Sequence, residues 1–551
     1  DGDGIADEQK ILVKNIAFGF KDRPADHTSN GVTLGIDGWL YLAIGDFGFL
    51  EAEGTDGRKL QLRGGGVVRV RPDGTGLELY SNGTRNILEV AMDPLLNGFT
   101  RDNTNDGGGW DIRLHHFTGL EDHGYPRLYM NFNDEIIQPL ADYGGGSGCG
   151  ALFIDEPGFP KGFSPALFTA DWGRSIVYRH QLTPHGATFK ADQSQFLGVN
   201  RVTDLDVDAN SNIYVASWKG ATFNYAGEDV GYLVRVRPKG LRLESLPDFT
   251  KATNADLVTL LKSPSHRRRL EAQRTLLRRG LDDATVDQIK TVMLDKTVAL
   301  PSRVAALFAL KQANGGHQPP GSKTPRDTNR GADAPRSPGL TEALKDTAIR
   351  PYAIRAAADR WDELDPTLLP LIQANAVGST DLRTRLELAV AIARFGKADQ
   401  ARPVVAMLTD EDPIVRHTAI QSLIHLQAAE ACFALLDQTD SDAACAGSLR
   451  VLQSIHLPKV VDGLITRLGK ESDANKRRGL LVALCRLHFV EGIWKGNSWG
   501  TRPDTRGPYF QPEPWAESDK IAAVLQIEIE KSDADPAIFL TTQLARHRIE
   551  L

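Results

Sequence analysis

The apolar residues of this 551-residue chain change their spacing once, near residue 250, and a chain with two periods does not close around one core. From about residue 30 to 240, short β-rich runs are punctuated by Gly, Pro, Asn and Asp, with no long helical periodicity. That pattern predicts an all-β unit. Beyond 250, apolar residues recur at i, i+3, i+4 and i+7 in segments separated by short breaks, which predicts helices. The length agrees, since single domains usually run to about 100–250 residues. We therefore expect a β-domain over residues 1–245 and an α-domain over 250–551.

The β-domain repeats itself. Asp37-Gly38-Trp39-Leu40-Tyr41-Leu42-Ala43 is echoed by Asn210-Ser211-Asn212-Ile213-Tyr214-Val215-Ala216, and Val67-Val68-Arg69-Val70-Arg71-Pro72 by Leu233-Val234-Arg235-Val236-Arg237-Pro238. Echoes of this kind predict the blades of a β-propeller. At roughly 40–50 residues per blade the region supplies about five, fewer than a six-bladed ring needs. The expectation is a propeller incomplete at its N-terminus, with further strands upstream of Asp1.

The α-domain carries a frame that marks the second helix of each pair: Arg269-Ala272-Leu276, Arg303-Ala306-Leu310, Arg385-Leu388-Ile392, Arg416-Ala419-Leu423, Cys445-Ser448-Leu452 and Arg477-Leu480-Leu484. Small residues where helices cross, at a spacing of mostly about thirty residues, predict a HEAT-like solenoid. Arg355-Ala358 fits the frame too, but residues 315–339 before it are rich in Pro, Gly, Lys and Arg and read as an inserted loop. The run from Gly496 to Tyr509, with its aromatics, Arg and Pro, cannot be helix and reads as an ordered loop against the solenoid or a ligand.

Charged residues at 25%, hydrophobic ones at 41% and a formal net charge of −7 describe a globular chain without a transmembrane segment. They give no electrostatic reason to bind nucleic acid or an anionic membrane. Cys149, Cys432, Cys445 and Cys485 are too few for a disulfide scaffold and form neither a CxxC nor a CxxCH haem site. Cys432 and Cys445 read either as a pair across adjacent helices or as isolated buried thiols. The chain starts at Asp1 without a signal-like segment, so the start reads as processed or clipped. Asp1, Asp3 and Asp7 occupy the third, fifth and ninth positions of a DxDxDG-type calcium loop, or belong to an Asp/Gly-rich turn.

Polar residues suited to chemistry gather in the β-domain. A His held by a carboxylate is fixed in one tautomer and made a better base, and Asp26-His27 with Gly45-Asp46 after a predicted strand supplies those parts. A structural hydrogen bond in a turn is the other reading of such a pair. Arg85-Asn86 follows a strand, and an Arg fork suits carboxylate or quinone oxygens. The stretch Asn97 to Asp111 reads as an oxygen-rich loop able to ligate calcium, or as a solvated turn. His115, His116 and His123 match no zinc spacing and read as loop histidines.

These residues carry a resemblance. The run from Asp26-His27 through Asn30-Gly31, Asp37-Gly38-Trp39-Leu40-Tyr41 and Gly45-Asp46, then Gly83-Thr84-Arg85-Asn86 and Asp122-His123-Gly124-Tyr125-Pro126, resembles the glucose/sorbosone dehydrogenase family in order and spacing. The segments Trp218 to Tyr225 and Trp499-Gly500-Thr501-Arg502-Pro503-Asp504-Thr505 resemble the large PVC-type haem-binding "membrane-bound dehydrogenase" proteins, which join such a propeller to HEAT repeats and usually a c-type cytochrome. The resemblance covers nearly the whole chain. It implies oxidation of a sugar alcohol or aldose with pyrroloquinoline quinone and calcium in a six-bladed propeller, on the cell surface or in the periplasm. His27 matches the proton-abstracting base, Asp46 its supporting carboxylate, Arg85 with Asn86 the pair facing the quinone, and Arg201 a later cofactor-binding arginine. The sequence departs from the pattern at Thr203, where a second arginine stands, and at Gly173, where the cofactor lysine stands, with Arg174 beside it. The haem motif is missing, so any cytochrome domain lies beyond Leu551 or on another protein.

Two functions follow as expectations. One is a quinone-dependent oxidoreductase acting on a carbohydrate or sugar-alcohol hydroxyl and passing electrons to a cytochrome c. The other is a binding or scaffold protein whose propeller holds a carbohydrate while the solenoid docks a partner, as the departures at Gly173 and Thr203 would suit.

Overall fold

The computed structural model describes residues 6, 8–18, 27–103, 111–218, 230–241, 244–314, 339–360, 364–496 and 506–551. Short strands separated by Gly- and Asp-rich turns form antiparallel meanders. The first blade orders Ser29–Leu34, Leu40–Ile44, Gly65–Val70 and Glu78–Thr84 from its inner to its outer strand. The second has Ala91–Met92, Gly98–Asn103, Asp111–Phe117 and Ala141–Gly145, and the third Gly148–Ile154, Ala166–Asp171, Ile176–His185 and Thr188–Gly198. The fourth has three strands among the described residues, Val202–Val207, Ile213–Ser217 and Tyr232–Val236.

The echoed sequences fall on equivalent strands: Leu40–Ile44 and Ile213–Ser217 are second strands, Gly65–Val70 and Tyr232–Val236 third strands. Length had suggested about five blades, and the described residues form four. The difference is spent on excursions. A hairpin of Phe49–Gly54 and Lys59–Leu62 leaves the first blade between its second and third strands and pairs with Val13–Lys14. A second excursion spans residues 118–140.

The first solenoid helix, Asn254–Leu260, follows the last blade strand, and eight helix pairs run to Ala534–His547 among the described residues. Ser265, Asp381, Asp412 and Asp473 cap second helices with side-chain oxygens, satisfying amide groups that a helix start leaves open. The apolar and small positions of the repeating frame are buried, from Ala272 and Leu276 to Leu480 and Leu484. Its arginines tie one pair to the next: Arg303 reaches Asp346 at 2.6 Å and Arg385 reaches Asp410 at 2.9 Å. The inserted loop lies almost wholly outside the described residues. Of the segment after Gly496, Tyr509 packs on the solenoid by donating to the Arg486 carbonyl at 3.0 Å. Cys432 and Cys445 are buried separate thiols.

The second helices of successive pairs stack on one another, and the propeller rests on the face they form. Gln273 and Gln312 both donate to the Ile36 carbonyl at 3.0 Å. Arg355 donates to the Leu96 carbonyl, Arg383 to Asn97, Arg269 to Asp155 and Arg268 to Asn210. Each blade thus sets the turn between its first and second strands on the solenoid. Gly38, at the first such turn, has φ +79°, and a Cβ there would stand 2.1 Å from Gln312 Oε1. Only glycine takes that conformation cheaply and leaves that room. The 118–140 excursion extends the contact, with Gln453 donating to Glu135 at 2.7 Å and Arg546 to the Asn131 carbonyl.

One apolar core joins the base of the first blade, Ile36, Trp39 and Tyr41 among it, to the solenoid. Inside the joint, Asp359 pairs with Arg71 and accepts from Trp39 Nε1 at 2.6 Å, with Arg69 at 3.9 Å. Burial alone would push this carboxyl up, but the Arg71 and Arg69 charges outweigh it and hold it well below the usual carboxylate range.

Candidate functional site

All four meanders run in the same sense, so their second strands climb away from the solenoid and end on the opposite face. Asp46 just beyond one such end, Asp102 near the end of another and Asp171 at the end of a third occupy that face. His27 lies just before the first inner strand, and Arg85 and Asn86 just after the outer one, so the sheet returns all three to the same edge.

His27 Nδ1 lies 2.5 Å from Asp46 Oδ1. A carboxylate accepts, so Nδ1–H donates and Nε2 becomes the basic nitrogen. Asp46 is fully buried, while the His27 side chain keeps 15% of its exposure and stacks on Phe47 with centroids 5.1 Å apart. Arg85 Nε stands 3.9 Å from the other Asp46 oxygen, which accepts no hydrogen bond among the described residues. Gly45 permits the meeting: a Cβ there would stand 2.5 Å from the backbone carbonyl of His27 and 2.8 Å from Asn86 Oδ1. The structure therefore brings His27, Asp46, Arg85 and Asn86 together across about sixty residues of chain.

Residues not assigned to this group from sequence hold it from behind. Arg85 is itself buried; its backbone N–H donates to Asp102 at 3.1 Å and its Nη1 to Asn103 at 2.6 Å. Asp102 also accepts from Arg113 at 2.9 Å and has His115 Nε2 at 3.1 Å. Burial opposes its charge, but Arg113 and His115 outweigh burial and keep it well below the usual carboxylate range. A recurring Asp at the ends of second strands was the signal available in sequence.

Arg174 and Arg201 belong to a second group at the same end, on the third and fourth blades. Arg201 lies over the Trp172 ring at 4.1 Å and donates to the Trp172 carbonyl at 3.3 Å. Arg174 is exposed, with its backbone N–H on Asp171 at 3.0 Å. Asp1, Asp3 and Asp7, the candidate calcium ligands, lie outside the described residues, as does Asp26. The stretch read as an oxygen-rich loop is instead a buried strand over Gly98–Asn103, with residues 104–110 outside the description. Among the described residues no group of three or more His, Cys, Asp or Glu side chains is placed to hold a metal ion.

Two of the three loop histidines are corrected as well. His115 and His116 belong to the strand Asp111–Phe117 and are buried, while His123 does lie in a loop, buried against His115 and Phe117. Burial, aided by neighbouring arginines, also holds His116, His180, His417 and His547 down to about 3. Unfolded, these imidazoles take up protons as pH falls below about 6.5. Folded, they stay neutral to about 3, so the unfolded chain binds more protons between those values and stability falls with pH across that window. Each contributes a slope of about 1.4 kcal/mol per pH unit. Denaturant titrations from pH 7 to 4.5 should show His417→Gln reducing proton uptake on unfolding by about one proton, and an unchanged uptake would refute the assignment.

Residues 1–206 match the model of a domain of unknown function, DUF7133, and residues 337–424 match HEAT repeats. No curated protein matches. Among solved structures, the chain is similar to a protein provisionally named an oxidoreductase (glucose dehydrogenase) from Thermus thermophilus, at 19% identity and TM-score 0.31, over 39% of this chain and 68% of that one. It is also similar to YibA of Escherichia coli, at 16% identity and TM-score 0.28, over 56% of this chain and all of the other, and to Kap121p, at 14% and 0.26, over 55% and 38%. These TM-scores are too low for any chemistry to be transferred, and the chain is an antiparallel propeller-like region followed by HEAT-type helix pairs.

Proposed function

We propose that the propeller face opposite the solenoid oxidises a hydroxyl group of a carbohydrate or sugar alcohol, with His27 as the base. The observation that carries this reading is the 2.5 Å contact from His27 Nδ1 to a fully buried Asp46, on an imidazole that still borders solvent. Asp46 fixes the tautomer and balances the positive charge when Nε2 takes the hydroxyl proton. Arg85, pinned by Asn103 and Asp102, keeps the second Asp46 oxygen from turning away. A quinone of the pyrroloquinoline type, with calcium, would supply the hydride acceptor.

The residues present fit such an oxygen-rich group on donor chemistry. Arg201 and the exposed Arg174 offer guanidinium donors at the same end as Arg85 and Asn86. With the resemblance to the PVC-type proteins, this reading makes the chain the extracytoplasmic sugar-oxidising part of a system that hands electrons to a cytochrome c domain or protein. Fractionation that found the native protein only in cytosol would count against that placement.

Incubation with pyrroloquinoline quinone and calcium should change the visible spectrum, and a panel of aldoses and sugar alcohols should then drive dye reduction. No spectral change with any quinone, and no dye reduction, would overturn the reading. A non-catalytic carbohydrate-binding role is favoured by Gly173 and Thr203, which remove two cofactor contacts. Its scaffold form is weakened, because the propeller already covers much of the face of second helices that would dock a partner.

A further inference from the structure

Behind His27 a hydrogen bond is withheld. Asp46 is fully buried, and its Oδ2 accepts no hydrogen bond among the described residues. The buried guanidinium of Arg85 stands beside that oxygen with Nε 3.9 Å away, close enough to steady the carboxylate by its charge and too far to donate to it. A bond from arginine to a carboxylate is roughly twice as strong as one to a neutral acceptor, so an unrestrained guanidinium would close the gap. Arg85 instead gives Nη1 to the neutral side-chain oxygen of Asn103 at 2.6 Å.

The parts that hold the gap open are themselves fixed. The Arg85 backbone N–H donates to Asp102 at 3.1 Å, and its carbonyl lies over Gly65, where a Cβ would stand 2.3 Å from it. Asn103 is buried at the end of the second blade's second strand, paired with Ile112 across the sheet. One strand end, Asp102-Asn103, therefore grips Arg85 by its backbone and by its guanidinium. The gap protects the Asp46 charge. A carboxylate bonded to Arg85 would divide that charge between guanidinium and imidazole, and its 2.5 Å bond with His27 Nδ1–H would weaken. We propose that Asn103 is a positioning residue for His27: its side-chain oxygen draws the Arg85 guanidinium off Asp46 and keeps that carboxylate for the imidazole. The consequence for turnover rests on the oxidation reading, whereas the positioning itself does not.

Proton magnetic resonance of the full chain with isotope-labelled histidine, recorded without quinone or substrate, should show a downfield Nδ1–H line that His27→Asn removes. In Asn103→Leu, which lacks the acceptor at similar volume, the line should move upfield. Asn103→Asp keeps an acceptor and should leave it nearly in place. In an Arg85→Met background Asn103→Leu should no longer move it, because no guanidinium is left to reach Asp46. Thermal melts matching the parent would show that the variants fold, and Asn103→Ala replaces Asn103→Leu if that variant melts early. Dye-linked turnover of Asn103→Leu should fall by about tenfold at an unchanged KM, since the base is impaired and substrate binding is not. Absence of the line in the parent, an unmoved line in the folded Asn103 variants, or the same displacement with and without Arg85 would each overturn the proposal. A displaced line with undiminished turnover, or a parent that shows the line and oxidises no sugar, would overturn the oxidation reading and leave the positioning standing.

Discussion

His27→Asn should leave the fold intact and lower dye-linked turnover by roughly 10²–10⁴-fold, the usual contribution of a positioned general base. The substitution removes the basic nitrogen, while the asparagine amide can still donate to Asp46, so stability should change by only about 1 kcal/mol. Asp46→Asn tests the other half of the pair. Its amide can present N–H to the imidazole and favour the wrong tautomer, a change worth about 10⁴ in turnover in serine-protease triads. A comparable loss here, with quinone binding retained by spectrum, would place both residues in the proton transfer. Undiminished turnover in both variants would leave the pair a structural hydrogen bond.

Asp359→Ala should destabilise the protein by about 3–5 kcal/mol, because it leaves Arg71 buried without its partner and Trp39 Nε1 without its acceptor. Removing both charges should be milder. Arg71→Met combined with Asp359→Leu exchanges the ion pair for apolar volume, and such exchanges are often neutral. The double variant should thus recover most of the loss, less the stacking of Arg71 on Trp39, whose ring it covers at 3.7 Å. Because the apolar core runs through this joint, propeller and solenoid should melt in one transition in the parent. Two separate transitions in the parent, or a double variant no more stable than Asp359→Ala, would refute this account of the joint.

The two architectures were legible because each is written in local periodicity. Alternation and turn residues make blades, as in Leu40–Ile44 and its echo Ile213–Ser217, and the Arg-small-Leu frame makes helix pairs whose arginines bond to neighbouring turns. His27, Asp46, Arg85 and Asn86 were likewise nameable, since the ends of one meander's strands return to one edge.

What the sequence could not disclose depends on contacts between distant segments. Asp102 shares its place near the end of a second strand with Asp46 and Asp171, and what it holds is shown only when Arg113, His115 and the Arg85 amide converge on it. His115 and His116 resembled loop residues because burial on a strand is decided by what packs over it. Among the described residues the blades number four rather than about five because an outlying hairpin and a blade strand share the same alternation. By itself, then, the sequence determined the kind of each domain and one edge of the candidate site. Only the tertiary structure decided that the propeller would rest on the solenoid's second helices, enclosing Asp359 in the joint between them.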